Sequence, residues 1–154
     1  MGRIQCIISG GQTGADRAAL DVALELGIEC GGWCPRGRKA EDGTIPAQYP
    51  LRQTLSPGYA QRTEKNITVS DGTLICNRGE LTGGTLLTRD LARSWGKPCL
   101  VLDLDATSAP DAADRAGDWV AEHGIATLNV AGPRASSDPE IHELTCQVLR
   151  ELLM

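Results

Sequence analysis

Three glycine-containing segments hold the residue types that bind anions. The first joins a predicted strand to a predicted helix and reads Ser9, Gly10, Gly11, Gln12, Thr13, Gly14, Ala15, Asp16. Free backbone N–H groups and the helix dipole favour an anion at such a junction. Glycines let the backbone approach a phosphate, and Gln12 and Thr13 add side-chain donors. Asp16 either complements the helix dipole or holds a ligand hydroxyl. The spacing matches neither a P-loop nor G-x-G-x-x-G, and a tight turn without ligand stays open as the alternative.

The other two segments lie at similar junctions further along the chain. Gly83, Gly84 and Thr85 precede a predicted helix, while Gly132 and Arg134 follow the last predicted strand. Alone, a glycine pair is often only a helix cap and Gly-Pro only a turn. All three segments fall at predicted carboxyl ends of strands, where ligands bind in open α/β sheets. Together they predict a site for a phosphorylated ligand, with charge-assisted hydrogen bonds worth about 1.5–3 kcal/mol each.

Charge is unevenly distributed along the 154 residues, whose net charge is −5. An acidic chain lacks the basic surface of a general nucleic-acid-binding protein. The segment 33–66, however, has three acidic residues (Glu41, Asp42, Glu64) and six basic ones (Arg36, Arg38, Lys39, Arg52, Arg62, Lys65). This local excess indicates a small anionic ligand, and the alternative interpretation is a solvated loop.

Strands and helices alternate along the chain. Apolar runs predict strands over residues 4–9, 28–32, 99–104 and 125–131, and the segment 67–76 contains another strand, with a turn or bulge at 70–72. Helical spacing predicts helices over 15–26 and 85–95, and two further helices opened by capping boxes at 108–111 and 137–140. Residues 33–65 lack periodicity and predict a functional loop with short helical turns near 48–54 or 59–65. The alternation predicts one α/β domain, 1–154, with a largely parallel sheet.

Several classes of protein are disfavoured. No apolar run reaches the ~20 residues of a membrane span, and the run at 4–8 is too short for a signal peptide, so we expect a cytoplasmic protein that does not bind membranes. His123 and His142 fall in predicted helices, and no Ser-His-Asp or Cys-His arrangement is visible. Cys30 and Cys34 form C-x-x-x-C without a second pair or a nearby His. We therefore predict no catalytic nucleophile and no metal site, with redox or metal chemistry at this pair as the minor alternative.

Longer motifs resemble a known family. They are spread along nearly the whole chain, at residues 9–17, 32–43, 62–63, 70–73, 83–85 and 129–134. They resemble the molybdenum-carrier (molybdenum cofactor carrier) family, a branch of the Rossmann-like superfamily that includes the lysine decarboxylase-like phosphoribohydrolases. The resemblance implies a Rossmann-like three-layer sandwich and a homo-oligomer, dimer or tetramer. It implies that strand-end loops bind the molybdenum cofactor (molybdopterin), a phosphorylated pterin whose charge suits Arg36, Arg38 and Lys39, for delivery to molybdoenzymes.

One departure from the hydrolase relatives bears on catalysis. Their motif P-G-G-x-G-T-x-x-E ends in a catalytic Glu, where this chain has Thr88, and the leading Pro is also changed. Arg62 matches the hydrolases' upstream Arg. Without that Glu no general acid or base is obvious, although Asp16, Glu41, Asp42 or Asp71 could substitute. The pattern favours a carrier that protects and delivers the cofactor without catalysis. The alternative is a nucleotide- or ADP-ribose-type binding protein or a phosphoribohydrolase-like enzyme.

Overall fold

The computed structural model describes residues 3–154, in which strands and helices alternate. In chain order the elements are β1 (Cys6–Ile8), α1 (Ala15–Leu26), β2 (Glu29–Gly31), β3 (Trp33–Cys34), β4 (Lys39–Ala40), β5 (Gly43–Thr44), β6 (Arg52–Gln53), α2 (Tyr59–Thr68), β7 (Gly72–Asn77), α3 (Gly83–Ser94), β8 (Cys99–Asp103), α4 (Ala109–His123), β9 (Thr127–Ala131) and α5 (Ile141–Leu153).

Five parallel strands form the central sheet in the order β2-β1-β9-β7-β8. The last strand of the chain therefore lies in the middle, between the first and the third strands of this sheet. Moving β9 to the front of the chain would give the order 3-2-1-4-5 of the dinucleotide-binding fold. In that fold the strand order reverses beside the central strand, which places the switch point here between β9 and β7.

Helices cover both faces of the sheet. On one face α5 packs against α1 and α4, while α2 and α3 pack together on the other. Small and branched side chains fill the main core, where α1 contributes Ala18, Ala19 and Val22 against the buried Leu74 and Leu128 of the sheet. The Rossmann-like three-layer sandwich with a parallel central sheet is thereby confirmed.

Most predicted elements are confirmed. α1 spans the predicted residues, and Ser108 caps α4 by accepting a hydrogen bond from Asp111 N. The segment 67–76 contains the predicted strand, β7, from Gly72 onward, while Ile67 is buried as the last apolar residue of α2. The second capping box does not cap a helix, since α5 begins at Ile141 and the Asp138 carboxylate binds Arg78 instead.

The segment between β2 and α2 has a small core of its own, formed by Leu20, Cys34, Ala40, Ile45 and Tyr49. Arg38 organises it from a left-handed backbone conformation (φ 53°). Its guanidinium donates to the carbonyls of Ile45 (3.2 Å), Pro46 (2.7 Å) and Tyr49 (3.0 Å). The helical turn predicted near 59–65 is α2, whereas residues 48–54 contain strand β6 instead of a turn of helix.

Candidate functional site

A cleft of about 690 Å³ opens at the switch point, where β7 and β9 end. It is lined by Gln12, Asp16, Tyr59, Arg62, Thr63, Asn77, Arg78, Glu80, Thr82, Gly83, Gly84, Thr85, Leu87, Thr88, Asp105, Ala131, Gly132, Pro133, Arg134, Ser136, Ser137, Asp138 and Pro139. Eight of the sixteen predicted site residues are among them: Gln12, Asp16, Arg62, Gly83, Gly84, Thr85, Gly132 and Arg134. The cleft therefore brings together residues from all three glycine-containing segments.

Three cations surround the ring of Tyr59, the first residue of α2. The guanidinium carbons of Arg134 and Arg62 lie 5.1 Å and 5.7 Å from the ring centroid, and Lys39 Nζ lies 5.5 Å from it. Within residues 3–154 neither Arg134 nor Lys39 pairs with an acidic side chain, whereas Arg62 pairs with Asp16. This wall of the cleft has an excess of positive charge and suits an anion.

The N-terminus of α3 forms a second wall. Its N-cap residue Thr82 makes no side-chain capping hydrogen bond. The first N–H groups of a helix have no partner within the helix, so those of Gly83, Gly84 and Thr85 are free for a ligand. Gly84 faces open space, with nothing within 4 Å of where a Cβ would be. Here a glycine keeps the helix end accessible to a ligand.

Gln12 places a donor of fixed orientation in the cleft. The residue is 4% exposed, and its Oε1 accepts hydrogen bonds from Thr13 N (3.2 Å) and Glu41 N (2.9 Å). These two bonds leave Nε2 buried without a partner among residues 3–154. Arg62 Nε is in the same state. An unsatisfied buried donor costs about 1–3 kcal/mol, so both atoms indicate a ligand that supplies acceptors.

Asp16 holds Arg62 and the first glycine segment. Its Oδ2 accepts hydrogen bonds from Arg62 Nη1 (3.0 Å) and Gln12 N (3.3 Å). Burial raises the pKa of this carboxyl, and the Arg62 guanidinium opposes the shift. Asp16 thus orients Arg62 toward the cleft, and its other predicted role, binding a ligand hydroxyl, would compete with that pairing.

The opposite end of the cleft contains an ion-pair cluster that the sequence analysis missed. Arg78 donates to both carboxylate oxygens of Asp138 (2.8 and 2.6 Å) and to Glu140 (3.1 Å). Arg78 lowers the pKa of Asp138 against the effect of burial. The only sequence signal was the position of Arg78 directly after a buried strand, and residues 137–140 were interpreted as a capping box.

Glycines of the other loops accommodate protein atoms. A Cβ on Gly10 would lie 1.8 Å from Arg62 Nη1, and one on Gly11 would lie 2.3 Å from Leu51. A Cβ on Gly14 would lie 2.2 Å from the Pro133 carbonyl oxygen, and one on Gly132 would lie 2.2 Å from the Cys76 carbonyl oxygen. At these positions the absence of a Cβ allows close packing behind the site, a role that the sequence pattern alone did not distinguish from phosphate contact.

The remaining predicted site residues lie outside the cleft lining. Ser9 is buried and donates to the Asp16 carbonyl (2.8 Å), and Thr13 donates to Glu41. Arg36 is exposed, and its N–H donates to the Ser56 carbonyl. Arg38 is occupied by the carbonyls of its own segment, and Lys39 reaches the site only through the Tyr59 ring. The structure therefore separates the basic segment into structural and site-facing cations.

Candidate acid and base groups are mostly occupied. Thr88, at the position of the hydrolases' Glu, donates to the Gly84 carbonyl (2.8 Å). Asp42 pairs with Arg17 (2.6 Å) away from the cleft. Asp71 lies at the amino edge of the sheet, where it accepts from Ala126 N and Thr127 N. Asp71 is therefore wrong as a substitute for the missing Glu, because it lies at the opposite edge of the sheet.

The cysteine pair has little thiolate character. Burial raises the pKa of both the Cys30 and Cys34 thiols, and both are free.

Within the described part of the chain no three His, Cys, Asp or Glu side chains are grouped to hold a metal ion. In the same range, no helix has both the length and the apolar character that crossing a bilayer requires.

Comparison with known proteins identifies relatives of the whole chain. Residues 7–153 match the model of the circularly permutated YpsA SLOG family. A crystal structure of a protein from Syntrophus aciditrophicus SB, named "Putative molybdenum carrier protein", is 50% identical, with a TM-score of 0.98. The match covers 99% of this chain and 97% of that one. No curated protein matches significantly. The match confirms the family resemblance, and the permutation in the family's description agrees with the central position of β9.

Proposed function

Because the chain belongs to the circularly permutated YpsA SLOG family, we propose that its switch-point cleft binds a phosphorylated small molecule, the molybdenum cofactor. The chain then acts as a carrier that protects the cofactor in the cytoplasm and delivers it to molybdoenzymes without converting it. The solved relative with 50% identity, which has "molybdenum carrier" in its name, supports a molybdenum-related ligand.

The observation that carries this proposal is the convergence of unpaired donors on one cleft. The free N-terminus of α3, Arg134, Arg62 and Gln12 all line it, and Arg62 Nε and Gln12 Nε2 are buried without a partner among residues 3–154. Each gains a partner if an anionic oxygen enters, and charge-assisted hydrogen bonds are the strong ones. The volume of about 690 Å³ lies within the range of about 300–1,000 Å³ typical of small-molecule sites. We assign the phosphate to the α3 terminus and Arg134.

The use of the polar groups supports a carrier that does not convert its ligand. Thr88 is not an acid or base at neutral pH, and Asp16 and Asp138 are held by arginines. A general acid must reach a reacting atom with a suitable pKa. These two carboxylates instead fix the arginines of the cleft, which suits a protein that holds its ligand unchanged.

The carrier function is tested by retention and transfer under anoxic conditions. Protein loaded with molybdenum cofactor is desalted and mixed with an apo-molybdoenzyme, and the enzyme's activity is compared with that given by free cofactor after equal ageing. We expect the carrier to retain cofactor through desalting and to yield more active enzyme. Loss of all cofactor on desalting would contradict the proposal.

A nucleotide is the second candidate, and the strand order favours it. The sheet has the permuted order of the dinucleotide-binding fold, and the cleft lies at its switch point. A nucleotide or ADP-ribose-type ligand would place its phosphate on the same donors. Incubation with AMP followed by chromatography for adenine tests the enzymatic form, in which Arg62→Ala would abolish any release of base.

Self-association is the remaining part of the proposal. The exposed apolar side chains Trp95, Val69 and Leu87 lie on α3 and at the end of α2. Leu87 also lines the cleft, so a second copy on this face would cover the edge of the site. We propose a homo-oligomer, dimer or tetramer. Light scattering on the purified chain is expected to give a multiple of 16.3 kDa, and a monomer at all concentrations would contradict it.

A further inference from the structure

Three loops meet beside the cleft at the side chain of Glu41, which lies between β4 and β5. Glu41 Oε1 accepts from the Thr13 hydroxyl and from Ser136 N (3.1 Å), and Oε2 accepts from the Ser136 hydroxyl. Thr13 Oγ1 in turn accepts from Ala135 N (3.1 Å). We call Thr13, Glu41 and Ser136 the three-loop clasp. It joins the loops that follow β1 and β9 to the β4–β5 hairpin.

The clasp adjoins two residues of the cleft lining, Gln12 and Arg134. The Glu41 backbone N–H is one of the two groups that fix the Gln12 carboxamide through its Oε1, and Nε2 is left without a partner among residues 3–154. Ala135 and Ser136, whose N–H groups the clasp binds, directly follow Arg134. The Glu41 oxygens bind Thr13 and Ser136, and within residues 3–154 no ion pair joins Glu41 to Arg134. The guanidinium therefore remains available to a ligand.

We propose that Glu41 is a positioning residue for an anionic ligand that it does not touch. Its backbone N–H binds Gln12, and its carboxylate, by anchoring the hairpin to Thr13 and Ser136, holds that N–H and the loop after Arg134 in place. The inference rests on the proposed function only in taking the cleft as the binding site. It differs from the interpretation of Glu41 as a substitute acid or base. When binding groups are already fixed in the free protein, the ligand does not pay the entropy cost of ordering them. A preorganised site therefore binds more tightly.

The sign of one mutational effect separates positioning from simple electrostatics. Glu41 is a negative charge near an anion site, so its removal should tighten anion binding if only charge mattered. Positioning predicts the opposite. We expect Glu41→Ala to weaken binding about 10-fold, because small displacements of binding groups are costly. We expect Glu41→Gln, which keeps an acceptor for Ser136 N, to bind more tightly than Glu41→Ala.

Asp42 supplies the matched control on the same hairpin. Its carboxylate is 48% exposed and pairs with Arg17 outside the cleft. Asp42→Asn removes one negative charge, as Glu41→Ala does, but leaves the clasp intact. We expect its affinity to change less than about 2-fold or to tighten slightly, as expected for an exposed charge.

The experiment combines anoxic titrations with molybdenum cofactor and with AMP and hydrogen exchange on the free protein. Glu41→Ala should speed exchange at the Ala135 and Ser136 amides, and its binding loss should not add to that of Gln12→Ala. Tighter binding, additive losses or unchanged exchange would each overturn the proposal. If the native chain binds neither ligand, the proposed function fails, and the exchange rates alone decide whether the clasp exists.

Discussion

At the residue scale, Arg134 is the side chain on which anion binding should depend most. Its guanidinium lies against Tyr59 and lines the cleft, with no ion pair in the described part of the chain. We predict that Arg134→Met weakens binding of a phosphorylated ligand about 10- to 100-fold, as expected for a charge-assisted contact. The free energy of unfolding should barely change. Calorimetric titration and denaturant melts measure both.

Arg36 provides the comparison for Arg134, because it is basic, exposed and outside the cleft. Arg36→Met should leave affinity nearly unchanged at moderate salt, where exposed distant charges are screened. Equal losses from the two substitutions would mean that the ligand responds to overall charge and not to the cleft.

Gly10 shows that a glycine in the loop can serve a neighbouring side chain. We predict that Gly10→Ala displaces Arg62, since the new Cβ would lie 1.8 Å from its Nη1. The displaced atoms are the far end of a flexible side chain and both charges remain, so denaturant unfolding should show a loss of about 0.5–3 kcal/mol. Binding should weaken, because Arg62 no longer keeps its position in the cleft. Native stability in Gly10→Ala would contradict this account.

At the element scale, the N-terminus of α3 contributes free N–H groups to the cleft. A side chain added at Gly84 would project into open space and block a ligand from reaching them. Gly84→Val should abolish or strongly reduce ligand binding while changing the free energy of unfolding by no more than about 1 kcal/mol. Gly117→Ala in α4 is the matched helical control, because its Cβ would make only an ordinary contact with Leu152 at 3.7 Å. Gly11→Val is a poor probe of binding. Its side chain would clash with Leu51 and strain the backbone at a φ of 75°, so the substitution would destabilise the fold itself.

The Arg78–Asp138 pair ties the loop after β7 to the loop after β9, and it predicts an acid dependence of stability. Arg78 lowers the pKa of Asp138. The stabilisation is complete above the ordinary Asp pKa of about 4 and is lost as the pH falls through the lowered pKa. Between pH 6 and pH 2 the native chain should therefore lose more unfolding free energy than Arg78→Met. Parallel pH profiles of the two proteins would exclude a stabilising role for the pair.

Local patterns predicted most elements and about a third of the residues that line the cleft. Helical spacing and Ser108 located α1 and α4, and the glycine segments located the strand ends. Contacts between distant segments could not be predicted in this way. Arg78 with Asp138, Tyr59 with its three cations, and Glu41 with Ser136 each join parts of the chain that only the sheet order brings together.

At the scale of the whole molecule, the permuted strand order makes a prediction about connectivity. α5 leads from the cleft edge back to the amino edge of the sheet, where β1 begins beside the start of β9. A variant that links Met154 to Arg3 through a short flexible linker and opens between His123 and Gly124 has the unpermuted order. We expect it to fold and to bind ligand with the native affinity, since exposed turns tolerate new termini. An unfolded variant would show that the native connectivity is required.

We propose that the switch-point cleft holds the molybdenum cofactor through its phosphate. An anoxic equilibrium titration of the cofactor, with AMP as competitor, on the native chain and on Gly84→Val tests this. We expect tight saturable binding by the native chain that AMP barely disturbs, and loss of this binding in Gly84→Val. Absent binding, ready displacement by AMP, or equal binding by the variant would contradict it.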